Sequence, residues 1–252
     1  MDYSIIRQAR GLLVFTITRA AKRNAVNFEV MEGLKKAIEQ AKGEDVRALV
    51  ITGEGEQAFC SGGDLSVFHE LRTEEQAYGM LSKMAEILYS LAVLPKPTVA
   101  LINGTAVGGG CEIAAACDYR IARIGAKLGF IQGGLAITTG WGGGTLLLER
   151  TNASHALKLL TEASVYRAEQ LDHIGWINKV VEKASVIEVE QFLEKELSMY
   201  SGVLSAYKEI QVRKWQETDL HGRILQEVRT CAQLWAQEEH HQAVDAFLDK
   251  NS

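Results

Sequence analysis

Between Leu128 and Leu148 the chain carries no ionisable side chain. A run of that length matches a membrane span, but its centre, "GFIQGGLAITTGWGGG" (129–144), holds seven glycines interleaved with threonines and a glutamine. Small and polar residues cluster there instead of forming a lipid-facing surface. The run therefore belongs inside a folded soluble domain, and no membrane span is expected. Glycine costs about 0.5–1 kcal/mol relative to alanine in an ordered element, so this many in one segment mark backbone that must lie bare. The segment brings no acid, base or metal ligand of its own. Any chemistry beside it is completed from elsewhere in the chain.

The surroundings alternate strand and helix. "LLVFTIT" (12–18) and "VRALVIT" (46–52) are apolar, β-branched and bounded by polar or glycine residues, as strands are. Between them Asn27 is placed to cap a helix whose apolar positions Met31, Leu34, Ile38 and Ala41 follow a helical period. "TEEQ" (73–76) has capping-box spacing ahead of Ala77, Met80, Met84, Ile87 and Leu91. Pro95 and Pro97 end that helix and open the strand "TVALI". "NGTAVGGG", the alanine-rich helix "CEIAAAC" and the strand "YRIAR" follow, and "INKVV" (177–181) is the last clear strand signal. From Ser185 the pattern is helical, charged and amphipathic. The alternation predicts an α/β fold, divided into a core over residues 1–185 and a helical region over 186–252.

Charge and composition exclude several classes of function. A net charge of −5, with no basic block, carries no footprint for nucleic acid. Cys60, Cys111, Cys117 and Cys231 have neither CxxC spacing nor a disulfide-rich density, which predicts reduced thiols and a cytoplasmic protein. The start, "MDYSIIRQARG", has no basic segment followed by an apolar run, so no signal peptide is expected. His69, His155, His173 and His221 lack spaced partners, and adjacent His240 and His241 cannot share a metal as an i, i+4 pair does. All six are read as structural, and neither a metal nor a cofactor is expected.

Three glycine-bearing turns are the candidates for chemistry: "FCSGGDL" (59–65), "NGTAVGGGCE" (103–112) and the run at 129–144. None matches a dinucleotide fingerprint or a P-loop. A glycine run just before a helix leaves backbone N–H groups bare at the positive end of the helix dipole, where an anion binds readily. Glu112 falls in the first turn of that helix. It either stabilises the dipole or acts as a general base beside an oxyanion site. Cys111 has no basic activator in sequence and reads as a structural thiol.

The run "AFCSGGDL" followed at 96–122 by "KPTVALINGTAVGGGCEIAAACDYRIA" resembles the crotonase superfamily, the enoyl-CoA hydratase/isomerase group. "TRAAKRNAV" (18–26), "GWGGGTLLLER" (140–150) and "AVDAFLDK" (243–250) extend the resemblance along nearly the whole chain. It implies a crotonase-like spiral of ββα units, with C-terminal helices that assemble a homotrimer, often paired into a hexamer. It implies that the N–H groups of Gly63 and Gly109 form an oxyanion hole for the thioester oxygen of an acyl-CoA substrate. Lys22, Arg23, Ala25, Asp64 and Leu65 match positions lining the CoA site. Phe247 and Lys250 match C-terminal positions that reach the adenine end. Trp141 packs against the acyl pocket or anchors its glycine turn.

Hydratases of this group place two glutamates around one water. The first matches Glu112; the second falls at Gln132, where an amide orients water but exchanges no proton. Three activities follow from the resemblance. Glu112 works alone in an enoyl-CoA isomerase or modest hydratase. Alternatively, the oxyanion hole serves the decarboxylation of a substituted malonyl-CoA; "FCSGGDL", "FIQ" and "TTGWGGG" are locally similar to the ethylmalonyl-CoA decarboxylase branch. In the third, the protein binds acyl-CoA or a protein partner without turnover.

Overall fold

A computed structural model describes residues 1–249, with side chains through Ala246. Its strands are dealt to two sheets. β1 (Tyr3–Arg7), β2 (Leu12–Ile17), β3 (Ala48–Gly53), β5 (Thr98–Ile102), β7 (Tyr119–Arg123) and β10 (Lys179–Val181) lie side by side in that order. β4 (Ala58–Cys60), β6 (Thr105–Val107), β8 (Lys127–Gly129) and β9 (Tyr166–Arg167) form the second sheet. Only β1 and β9, at sheet edges, run antiparallel to their neighbours.

The strands recur in pairs, each giving one strand to the large sheet, a three-residue strand to the small one, and then a helix. β3 and β4 lead through α2 (Leu65–Phe68) to α3 (Glu74–Ala92); β5 and β6 lead to α4 (Gly109–Ala116); β7 and β8 lead to α5 (Gly143–Arg150). This is the expected spiral of ββα units. α1 (Phe28–Ala41) crosses from β2 to β3. The side chain of Asn27 accepts the Val30 N–H at 3.0 Å, and Thr73 and Gln76 complete their capping box on α3, as the sequence predicts.

Alternation along the large sheet sends neighbouring side chains to opposite faces. Leu13, Phe15, Leu49 and Ile51 enter the main core with Met31, Leu34 and Leu88. Leu12, Val14, Val50 and Val99 enter a second core with Val189 and Leu193. Both faces are covered, so the strands read as continuous apolar runs.

α6 (Ala153–Glu162) and α7 (Ala168–His173) lie between β8 and β10. After residue 185 come α8 (Val186–Phe192), α9 (Glu194–Ser198), α10 (Ser201–Glu217), α11 (Leu220–Trp235) and α12 (Glu238–Asp249). α11 packs on α3 and α5, laying Ile224, Val228, Cys231 and Trp235 into the main core. Among the described residues no helix is long and apolar enough to cross a membrane.

Candidate active site

The three glycine turns converge on one cavity of about 330 Å³. Positive φ angles at Gly62 (+99°), Gly108 (+54°) and Gly142 (+86°) bend the backbone into it, a conformation that L side chains resist. Gly109 begins α4, so its N–H has no acceptor within the helix. Gly63 bridges Val26 through bonds made by its neighbours: Val26 N–H donates to Gly62 and Asp64 N–H donates to Val26. The Gly63 N–H takes no part in that bridge.

The two turns touch. A Cβ at Gly62 would lie 3.2 Å from the Gly109 nitrogen, and a Cβ at Gly109 would collide with the Trp141 ring. At Gly63 a Cβ would sit 3.0 Å from Phe68 and 3.6 Å from Trp141. The indole therefore lies over both predicted oxyanion glycines while its N–H side of the backbone anchors the third turn. Trp141 thus lines the cavity and ties the third turn to Glu112 through its own N–H.

Glu112 lies at the cavity floor with 3% of its surface exposed. Its Oε2 accepts the N–H groups of Trp141 at 2.8 Å and Gly143 at 2.9 Å. Its Oε1 accepts the Gln132 Nε2 at 2.9 Å and, at 3.4 Å, the Gly140 N–H. Burial, and then the charge of Glu227, push its carboxyl up to about 7 against the pull of the backbone N–H groups. A Cβ at Gly143 would overlap Glu112, so the glycine-rich run is what lets the backbone close around the carboxylate. Gln132 is also buried, and its own Oε1 has no partner. The two residues predicted as catalytic are thus one hydrogen-bonded pair.

Other expected residues take separate places. Leu65 lines the cavity; Lys22 and Arg23 are exposed, and Arg23 edges a neighbouring cleft with Ser61. Ala25 is buried and its carbonyl accepts a guanidinium N–H of Arg19. The Asp64 carboxylate caps α2 at Ser66 and pairs with Arg19 at 2.7 Å, a structural task for its side chain. Cys111 donates to the Ala106 carbonyl at 3.0 Å, and burial pushes its thiol up, consistent with a structural thiol. The Phe247 side chain and Lys250 lie outside the described residues.

Two residues of the site carried no sequence signal. Glu227 of α11 accepts the N–H groups of Gly144 (3.1 Å) and Thr145 (2.7 Å), so one helix N-terminus holds two carboxylates. His240, read from sequence as structural, lines the cavity wall beside Leu135 and Trp235. Only the packing of α11 and α12 brings them there.

Paired strands spiralling through two sheets, with a buried carboxylate facing two apposed glycine turns, define a crotonase-type α/β protein. The chain belongs to the enoyl-CoA hydratase/isomerase family, which it matches over residues 7–252. It is 31% identical to a crotonyl-CoA hydratase of Syntrophomonas wolfei, over 98% of this chain and 95% of that one. It is 28% identical to an ethylmalonyl-CoA decarboxylase of Xenopus laevis, over 89% of this chain and 76% of that one. The crystal structure of an enoyl-CoA hydratase from Bacillus halodurans superposes with a TM-score of 0.88 at 23% identity, covering 98% of this chain and 100% of that one.

Proposed function

We propose that the protein adds water to the double bond of an enoyl-CoA thioester, with Glu112 as its single proton carrier. The observation that supports this reading is the hydrogen-bonded Glu112–Gln132 pair in a cavity that Gly63 and Gly109 also line. Oε2 of Glu112 is committed to two short backbone bonds, so Oε1, held by the Gln132 amide and only loosely by the Gly140 N–H, is the oxygen that takes a proton. Gln132 donates to Oε1 of Glu112 and fixes the orientation of the carboxylate, while its own buried Oε1 has no protein partner.

As the water oxygen bonds to C3, its proton passes to Glu112 and the π electrons move onto the thioester oxygen. Gly63 and Gly109 donate to that developing enolate; losing one such donor typically costs about 2.7–4 kcal/mol of barrier. The enolate then collapses, and C2 takes the proton back from Glu112. A carboxyl group with a pKa of about 7 serves both halves, because both protonation states are available at neutral pH. Hydration of crotonyl-CoA by the purified protein tests this, with Glu112→Gln expected to lose about 10²-fold or more. Undiminished hydration by that variant would remove the role.

A second reading, decarboxylation of a substituted malonyl-CoA, is favoured by the missing second acid and by the 28% identical decarboxylase. There the oxyanion hole receives the electrons of the breaking C–CO₂ bond, and Glu112 returns a proton to the same carbon. Release of CO₂ from ethylmalonyl-CoA without hydration of crotonyl-CoA would select it. Trimeric or hexameric assembly fits the exposed apolar strip Val203, Tyr207 and Ile210 on one face of α10.

A further inference from the structure

Among the described residues, the cavity wall includes one side chain able to gain a positive charge, His240; no lysine or arginine lines it. The ring is 2% exposed and tilts on Trp235 with centroids 4.6 Å apart. Its Nδ1 lies 2.7 Å from the Leu135 carbonyl oxygen. A carbonyl only accepts, so Nδ1 bears the proton and Nε2 of the neutral ring presents a lone pair. That nitrogen has no hydrogen-bond partner among the described residues. Leu135 closes the short 3₁₀ turn that begins at Gln132, whose Oε1 is likewise unpartnered. Gln132 thus stands at the start of the turn, and the Leu135 carbonyl that holds His240 at its end; the two backbone positions are about 6 Å apart along its axis at roughly 2 Å rise per residue.

We propose that His240 receives a carboxylate at the far end of the acyl group, so that the preferred substrate is an acyl-CoA whose chain ends in an acid. The inference rests on the acyl-CoA reading of this cavity. An acyl chain reacting at Gln132 and Glu112 shares its cavity with Leu135 and His240. Burial holds the empty ring neutral, against the pull of the Leu135 carbonyl. The groups around it are His241 and Asp245 from its own helix, His69 and Arg72 from the α2–α3 side, and Glu112 across the cavity.

Both fixed neighbours of the ring suit an imidazolium: the Trp235 face through cation–π attraction, and the Leu135 carbonyl by keeping its hydrogen bond in either state. A carboxylate supplies the missing partner at Nε2, and a charge-assisted bond is roughly twice as strong as a neutral one. Glu112 repels a second anion in the same cavity, so such a substrate needs the charge that only His240 offers there. A hydroxyl group needs no charge, and an uncharged side chain would serve it without burying a titratable ring.

Saturated thioesters separate this from turnover. Calorimetry compares butyryl-CoA, 4-hydroxybutyryl-CoA and glutaryl-CoA near pH 6.5 and 8.5, in buffers of different ionisation enthalpy. Glutaryl-CoA is expected to bind at least about tenfold tighter than butyryl-CoA at the lower pH, with uptake of about one proton, and to lose that advantage at the higher pH. Both His240→Phe and the polar His240→Gln should abolish the preference and the proton uptake. Three results would overturn the proposal: a preference surviving in both variants, binding without proton uptake, or 4-hydroxybutyryl-CoA binding as tightly as glutaryl-CoA. Because none of these ligands is hydrated, a failed hydration assay leaves the ratios readable, and failed ratios leave the hydratase reading standing. If none of the three thioesters binds, the acyl-CoA reading falls and this inference with it.

Discussion

Exchanging Glu112 for glutamine should strengthen the fold above neutral pH while removing turnover. A carboxyl whose pKa moves from 4.5 to about 7 on folding costs about 3 kcal/mol of stability once it is ionised in both states. The folded value lies above the unfolded one, which sets the sign. Below about pH 4.5 the group is protonated in both states and costs nothing. Between about 4.5 and 7 the unfolded chain gives up its proton first, and folded stability declines; above that window the loss is constant.

The neutral amide escapes this term and keeps most of the hydrogen bonds. Its oxygen can take the Trp141 and Gly143 N–H groups, now at 2.8 and 2.9 Å from Oε2. Its NH₂ can meet Gln132 once that amide turns its unpartnered Oε1 inward. Only the Gly140 N–H, already long at 3.4 Å, is left without an acceptor. Urea denaturation of both proteins at equal concentration, near pH 5 and pH 8.5, measures the difference. The variant should gain about 2–3 kcal/mol on wild type between the two pH values. Parallel pH dependence of the two proteins would refute the reasoning, since the buried charge would then not be what opposes folding.

Glu227→Gln removes the second cause of the raised Glu112 value; the acid limb of the hydration pH profile should move to lower pH, and an unmoved limb would show that the two carboxylates are not coupled. Gly109→Ala drives a methyl group into the Trp141 ring beneath the proposed oxyanion donor. Steady-state kinetics should show kcat/KM for every acyl-CoA reaction falling by about 10²-fold or more, and equal rates would count against the oxyanion assignment. Gln132→Glu restores a second proton-exchanging group 2.9 Å from Glu112. Crotonyl-CoA hydration is expected to rise at least about tenfold, and no gain would mean that a second acid is not what limits the reaction.

Much of the site could be read from local signals. Glu112 stands three residues into a helix that opens on a glycine run, and Gly63 sits in a second such turn; both patterns lie within a few neighbouring residues. The caps at Asn27 and Thr73 are local in the same way, and both form. The small sheet was not visible. β4, β6 and β8 have three residues each and β9 two, too short to show a period, and they exist because each pairs with a strand remote in the chain. The place of His240 was hidden for a related reason: adjacent histidines carry no local pattern, and only the packing of α12 lays one of them against Leu135.

By itself, then, the sequence determined the alternating architecture, the three bare turns and the identity of the acid beside them, because periodicity, caps and glycine act over a few residues. Tertiary structure alone decided what bars side chains at those glycines: the Trp141 ring at Gly109, the Cys60 backbone at Gly110 and Glu112 at Gly143. It decided that Glu112 titrates near neutrality, through burial and a carboxylate 115 residues further along at Glu227. And it brought His240 to the cavity wall, because a pocket is made of contacts between distant residues and no local rule records them.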